Sequence, residues 1–180
     1  NPLIYIEDLL EECRYGDTPA GRDTIGTKET ILKKKKKKIL AYAGSQYSSD
    51  KMIISLAGGF KPEAVKLINK YFKNFSKKDY REKLATDDRQ VRPRLNLFYK
   101  PTDQAHLSLG VRTYAYGEPD EITARIISII LGGTMSSRLF TELRERRGLA
   151  YYVRTHNEPY TDSGYLTTQA GVPIDKLSEA

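Results

Sequence analysis

The chain has 180 residues, a net charge of +7, 39% hydrophobic residues and a mean hydropathy of −0.57. That length supports one domain core, and the absence of any run of about 18 apolar residues excludes a membrane-spanning helix. One cysteine and two histidines exclude an intrachain disulfide and a Cys/His metal cluster; the lone thiol fits a reducing compartment, so a cytoplasmic location is expected.

Residues 3–13 place apolar side chains at 3, 4, 6, 9 and 10, the period of a helix. YGDTPAGRDTIG then reads as a loop. Thr27 or Thr30 is placed to cap a helix running to about residue 46 through KKKKKK, with Leu32, Ile39 and Tyr42 or Ala43 as its buried stripe. Six consecutive lysines must visit every helix face, so Lys35 or Lys36 snorkels beside the stripe, or the helix breaks there. MIISLAGG, 52–59, reads as a buried strand, and KPEAVKLINKYFKNF as an amphipathic helix.

RLNLFYK, 94–100, and AHLSLGVRTY, 105–114, alternate apolar with polar and read as strands joined at PTDQ. A helix is predicted over 118–131, with Ile122, Ile126, Ile129 and Ile130 inward. The glycines Gly132 and Gly133 break it, in a turn where positive φ would suit them. Ser136 or Ser137 opens a further helix with Leu139, Phe140 and Leu143 inward and Gly148 at its end. Arg138 and Arg146 each stand four residues from Glu142, close enough to pair with it. LAYYVRTHNE and SGYLTTQAGV complete the strands.

Direct strand-to-strand turns rule out a purely parallel sheet. The expected class is α+β, two layers, a mostly antiparallel sheet with helices packed on one face. The opening without Met and the stop at VPIDKLSEA predict that 1–180 is a single-domain fragment.

Chemistry is sparse in these residues. No H-E-x-x-H, H-x-x-E-H, C-x-x-C, G-x-S-x-G or phosphate-binding glycine pattern occurs. His106 reads as a core or edge histidine and His156 as a surface one. The positive charge sits largely in one lysine run and is otherwise interleaved with Asp and Glu, so neither nucleic acid nor membrane is an expected partner.

LGGTMSSRLFTELRERRGLAYYV, 131–153, closely resembles the segment LGGGMSSRLFxELREKRGLAYxV of the pitrilysin/insulinase family of zinc metallopeptidases. That family includes the mitochondrial processing peptidase and core subunits of the respiratory cytochrome complex. YGDTPAGRDTIGTKETI, QYSSDKMIISLAGGFKPEAVKLINKYF and TDQAHLSLG resemble further family blocks, in the family's order.

The resemblance implies the later part of one peptidase module, without the upstream zinc motif. Zinc would then belong to the parent or a partner module, with no catalytic or metal-binding residue in this chain. It also implies a second homologous module as partner and a peptide or unfolded polypeptide as substrate, joining a sheet edge as an added strand. Arg144 and Tyr151, seven positions apart, match the family's substrate-binding pair, and Gly132 and Gly133 match a loop near the chamber entrance. The residues alone equally allow Arg144 as a solvated helix charge and Tyr151 as a packed strand residue. An inactive module serving as partner or scaffold subunit is the alternative function.

Overall fold

The computed structural model describes residues 1–87 and 89–180. The chain forms two compact units, one of residues 1–25 with 85–180 and the other of residues 26–84.

In the larger unit, helix α1 (Pro2–Tyr15) begins at Asn1, whose side chain accepts the Leu3 N–H. Strands β1 (Gln104–Arg112), β2 (Tyr152–Pro159) and β3 (Gly164–Pro173) form an antiparallel sheet in the order β1-β3-β2. β3 is central and buried along nearly its whole length, because helices cover both faces of the sheet.

On one face α1 brings Glu7 to Gln169 and Glu11 to the hydroxyls of Tyr160 and Tyr165. Arg14 there donates to the Gly164 carbonyl at 2.6 Å. On the other face Val153, Ala170 and Val172 form the core with Ala150, Leu107, Leu139 and Leu143. The α+β class and the antiparallel sheet are as the sequence predicts. Placing the helices on one face is corrected: α1 is polar enough on its inner side to satisfy Gln169, Tyr160 and Tyr165, so it closes the second face.

Helix α5 (Glu121–Ser128) continues as a π-helical stretch over Ile129–Gly133, and a second π-helical stretch spans Phe140–Arg146. The predicted inward stripe of α5 is reversed. Glu121, Ala124 and Ser128 are buried, whereas Ile122, Ile126, Ile129 and Ile130 are 63, 51, 50 and 47% exposed.

The smaller unit contains α2 (Lys28–Leu32), α3 (Lys36–Gln46) and α4 (Glu63–Phe72). Thr27 caps α2 by accepting the Thr30 N–H at 3.3 Å. The helix breaks inside the lysine run, the second of the two readings of that run, and this spares six ammonium groups from adjoining turns of one helix. Ser48 is the unit's buried centre, bonded to Asp50 and to the Lys78 N–H. The predicted stripe Leu32, Ile39 and Tyr42 is exposed.

Two predicted strands are also corrected. Residues 52–59 and 94–100 are irregular and exposed. A strand exists only through a ladder neighbour, and among the described residues neither segment has one.

Candidate functional site

Local chain reversal builds the site. The π-helical stretch Phe140–Arg146 ends at Arg147, and Gly148 follows at φ +58, a left-handed conformation that favours glycine. The Leu149 and Ala150 N–H groups both reach back to the Leu143 carbonyl, at 2.8 and 3.3 Å. Leu149 and Ala150 are buried at 2 and 7% exposure and anchor the turn. The Tyr151 N–H then donates to the Gly171 carbonyl at 2.8 Å, joining the start of β2 to β3.

This geometry brings the two predicted site residues together. The Arg144 guanidinium carbon lies 5.0 Å from the Phe140 ring centre and 5.8 Å from that of Tyr151. Both distances are within cation–π range. Phe140 is buried, whereas the Tyr151 side chain is open to solvent at 71% exposure. Tyr151 is therefore not a packed strand residue. Arg144 is exposed but held against two rings rather than free in solvent.

Glu142, two residues before Arg144, accepts from Arg146 at 3.3 Å and Arg147 at 2.8 Å. The Arg147 hydrogen bond, followed by that from Arg146, holds its carboxyl below the usual range. The predicted Glu142–Arg146 pair is present, and Arg147 takes the second place predicted for Arg138. Among the described residues no carboxylate pairs with Arg144. Arg144 carries planar N–H donors and Tyr151 a hydroxyl, both at the exposed surface of this turn.

The positive-φ turn expected of the glycines is corrected. Neither Gly132 nor Gly133 has positive φ. Gly132 is buried against β2, where a Cβ would lie 2.6 Å from the Thr155 backbone nitrogen. It is a close-approach residue, and Thr155 in turn bonds Thr168 across the sheet at 2.9 Å. Gly133 is exposed beside it. Ser136 and Ser137 cap nothing with their side chains; Ser137 is buried, its backbone N–H bonded to the Thr134 carbonyl.

Phe140, expected only as an inward core residue, also packs against the Arg144 guanidinium. Its signal was the i, i+4 spacing to Arg144, which places the two on one helix face.

The donor set does not fit a zinc centre. His106, on β1, holds its Nδ1 3.1 Å from the Tyr152 hydroxyl, and burial pushes its pKa down. His156, on β2, is half-buried rather than on the surface, and its pKa too is lowered, first by burial and then by Arg154. The central strand separates them. Among the described residues no three His, Cys, Asp or Glu side chains are placed to hold a metal, where a zinc site needs three or four.

A Bacillus subtilis protein named "Uncharacterized zinc protease YmxG" is 32% identical over 178 residues, covering 99% of this chain and 43% of its own length. A Mycobacterium tuberculosis protein with the name "Uncharacterized zinc protease Rv2782c" is 30% identical over 183 residues, with 99% and 42% covered. The chain thus spans less than half the length of these relatives.

Among solved structures, a peptidase M16 inactive domain from Pseudomonas fluorescens superposes with a TM-score of 0.78 at 21% identity, over 99% of this chain and 43% of that one. A protease from Helicobacter pylori superposes with a TM-score of 0.82 at 22% identity, over 99% and 46%. These likenesses establish the fold. The model described as "Peptidase M16 inactive domain" matches residues 35–180. This agrees with the zinc-peptidase resemblance of residues 131–153, and the chain belongs to the peptidase M16 family.

Proposed function

We propose that this chain supplies the substrate-binding side of a zinc-dependent peptidase whose metal is held outside these 180 residues. The observation that carries the reading is the Phe140–Arg144–Tyr151 stack: two exposed hydrogen-bonding side chains, brought together and, among the described residues, left without a carboxylate partner. Zinc in the parent or a partner module would supply the activated water; this chain's residues bind and orient. The Arg144 guanidinium and the Tyr151 hydroxyl take the oxygen of a peptide carbonyl and stabilise negative charge developing there. The substrate is a peptide or an unfolded polypeptide, and the partner is a second homologous module. The relatives named zinc proteases support the metal chemistry.

A second reading, a non-catalytic partner or scaffold subunit, is favoured by the matched family description, "inactive domain". One experiment separates the two. The assembly is purified through a tag on this chain and assayed on a quenched fluorescent peptide, with and without chelator. The peptidase reading expects chelator-sensitive cleavage that drops about 100-fold in Arg144→Ala and in Tyr151→Phe, with circular dichroism unchanged. Cleavage indifferent to both substitutions contradicts the substrate-binding role, and absence of cleavage in the intact assembly favours the scaffold.

A further inference from the structure

Tyr151 has little packing of its own to hold it. Its side chain is 71% exposed, and it stands one residue before the first ladder pair of β2, an outer strand in the order β1-β3-β2. Strand ends fray readily, yet a group that stabilises developing charge loses its effect when it shifts by an ångström.

One row of the sheet ties this strand end down. His106 on β1, Gly171 on β3 and Tyr152 on β2 lie directly opposite one another. A Cβ on Gly171 would lie 2.8 Å from Tyr152 Cδ1 and 3.0 Å from Gln104 Oε1. The half-buried Tyr152 ring therefore lies across the central strand, and its hydroxyl comes within 3.1 Å of His106 Nδ1. Burial, followed by the Glu7 charge, pushes the Tyr152 phenol up, and burial pushes the His106 imidazole down. At neutral pH the hydroxyl donates and Nδ1 accepts. Gly171 also takes the Tyr151 N–H on its carbonyl at 2.8 Å, so one residue of β3 seats both tyrosines.

We propose that His106 and Tyr152 are positioning residues: the bond between them pins the start of β2 across Gly171 to β1, and so fixes where the Tyr151 hydroxyl meets substrate. The role rests on Tyr151 binding substrate.

Three variants test it in the tagged assembly. Tyr152→Phe keeps the ring over Gly171 and removes only the hydroxyl. His106→Leu removes the acceptor, and His106→Asn returns an acceptor oxygen near the Nδ1 position. Cleavage of the fluorescent peptide should lose about tenfold in kcat in Tyr152→Phe and in His106→Leu, with KM unchanged. His106→Asn should recover most of that loss. On a Tyr151→Phe background, Tyr152→Phe should cost nothing further. A loss that persists on that background would overturn the positioning role, and so would full activity in Tyr152→Phe and His106→Leu while Tyr151→Phe is impaired. Full activity in Tyr151→Phe would instead overturn the substrate-binding reading on which the role stands. Hydrogen exchange on the same assembly gives a reading that needs no cleavage. In Tyr152→Phe the peptide covering 148–153 should exchange about tenfold faster, with the peptide covering 164–169 unchanged. Unchanged exchange in 148–153, or an equal loss of protection in both peptides, would overturn the proposal.

Discussion

At the scale of residues, three side chains and one missing side chain set the site. Gly132 lets the loop after α5 lie against Thr155, so Gly132→Ala drives a Cβ into β2 and should cost about 1–3 kcal/mol of stability. Thr155→Ala should not restore it, because the backbone nitrogen 2.6 Å away remains; urea unfolding of the single and double variants checks this. Arg144 and Phe140 should separate cleanly. Arg144 is exposed, and Arg144→Ala should change stability by no more than about 0.5 kcal/mol. Phe140→Ala empties a buried ring and should cost about 3–5 kcal/mol.

The histidines set a pH window. His106 and His156 both have pKa values below the ordinary 6.5 in the folded chain. The unfolded chain therefore takes up protons first. Their contribution is fully present above pH 6.5 and is lost as pH falls from there through the folded values. The urea midpoint should fall between about pH 7.5 and 5, and replacing both histidines by Gln should flatten that dependence.

At the scale of elements, what was legible in the sequence was whatever is settled by neighbours along the chain. The periods of α1, α4 and α5, the turn between β2 and β3 and the left-handed Gly148 all follow from local pattern. What depends on distant partners was not legible. The strands predicted at 52–59 and 94–100 have suitable residues, but strand character needs a ladder. The isoleucine stripe of α5 announced an apolar face but not its direction: the structure seats Glu121, Ala124 and Ser128 on the sheet and leaves the isoleucines exposed. The break in the lysine run was half legible, since the spacing shows the strain without choosing its relief.

Lys35 stands at the start of α3 without a side-chain cap. Lys35→Asp places an oxygen acceptor there and a negative charge at the helix N-terminus beside the lysines, and should stabilise α3 by about 1 kcal/mol. Thermal melting followed by far-ultraviolet circular dichroism would show a higher midpoint; an unchanged one would mean the capping geometry is not formed.

At the scale of the whole molecule, the site was legible as two residues at a fixed spacing and not as a device. Seven positions separate Arg144 from Tyr151 in the sequence. Only the Gly148 reversal and the anchoring of Leu149 and Ala150 bring Tyr151 beside the Arg144 guanidinium, which also lies against Phe140. The sequence equally allowed a buried Tyr151, and the fold leaves that ring open.

The account rests on Arg144 and Tyr151 acting together on one substrate oxygen, and a double-mutant cycle in the tagged assembly tests it most directly. The quantity is kcat/KM for one fluorescent peptide in the wild type, Arg144→Ala, Tyr151→Phe and the double variant. If the pair works as a unit, each single variant loses most of the activity and the double loses little more than the worse single one. Losses that multiply independently, or single variants that cleave like the wild type, would contradict it.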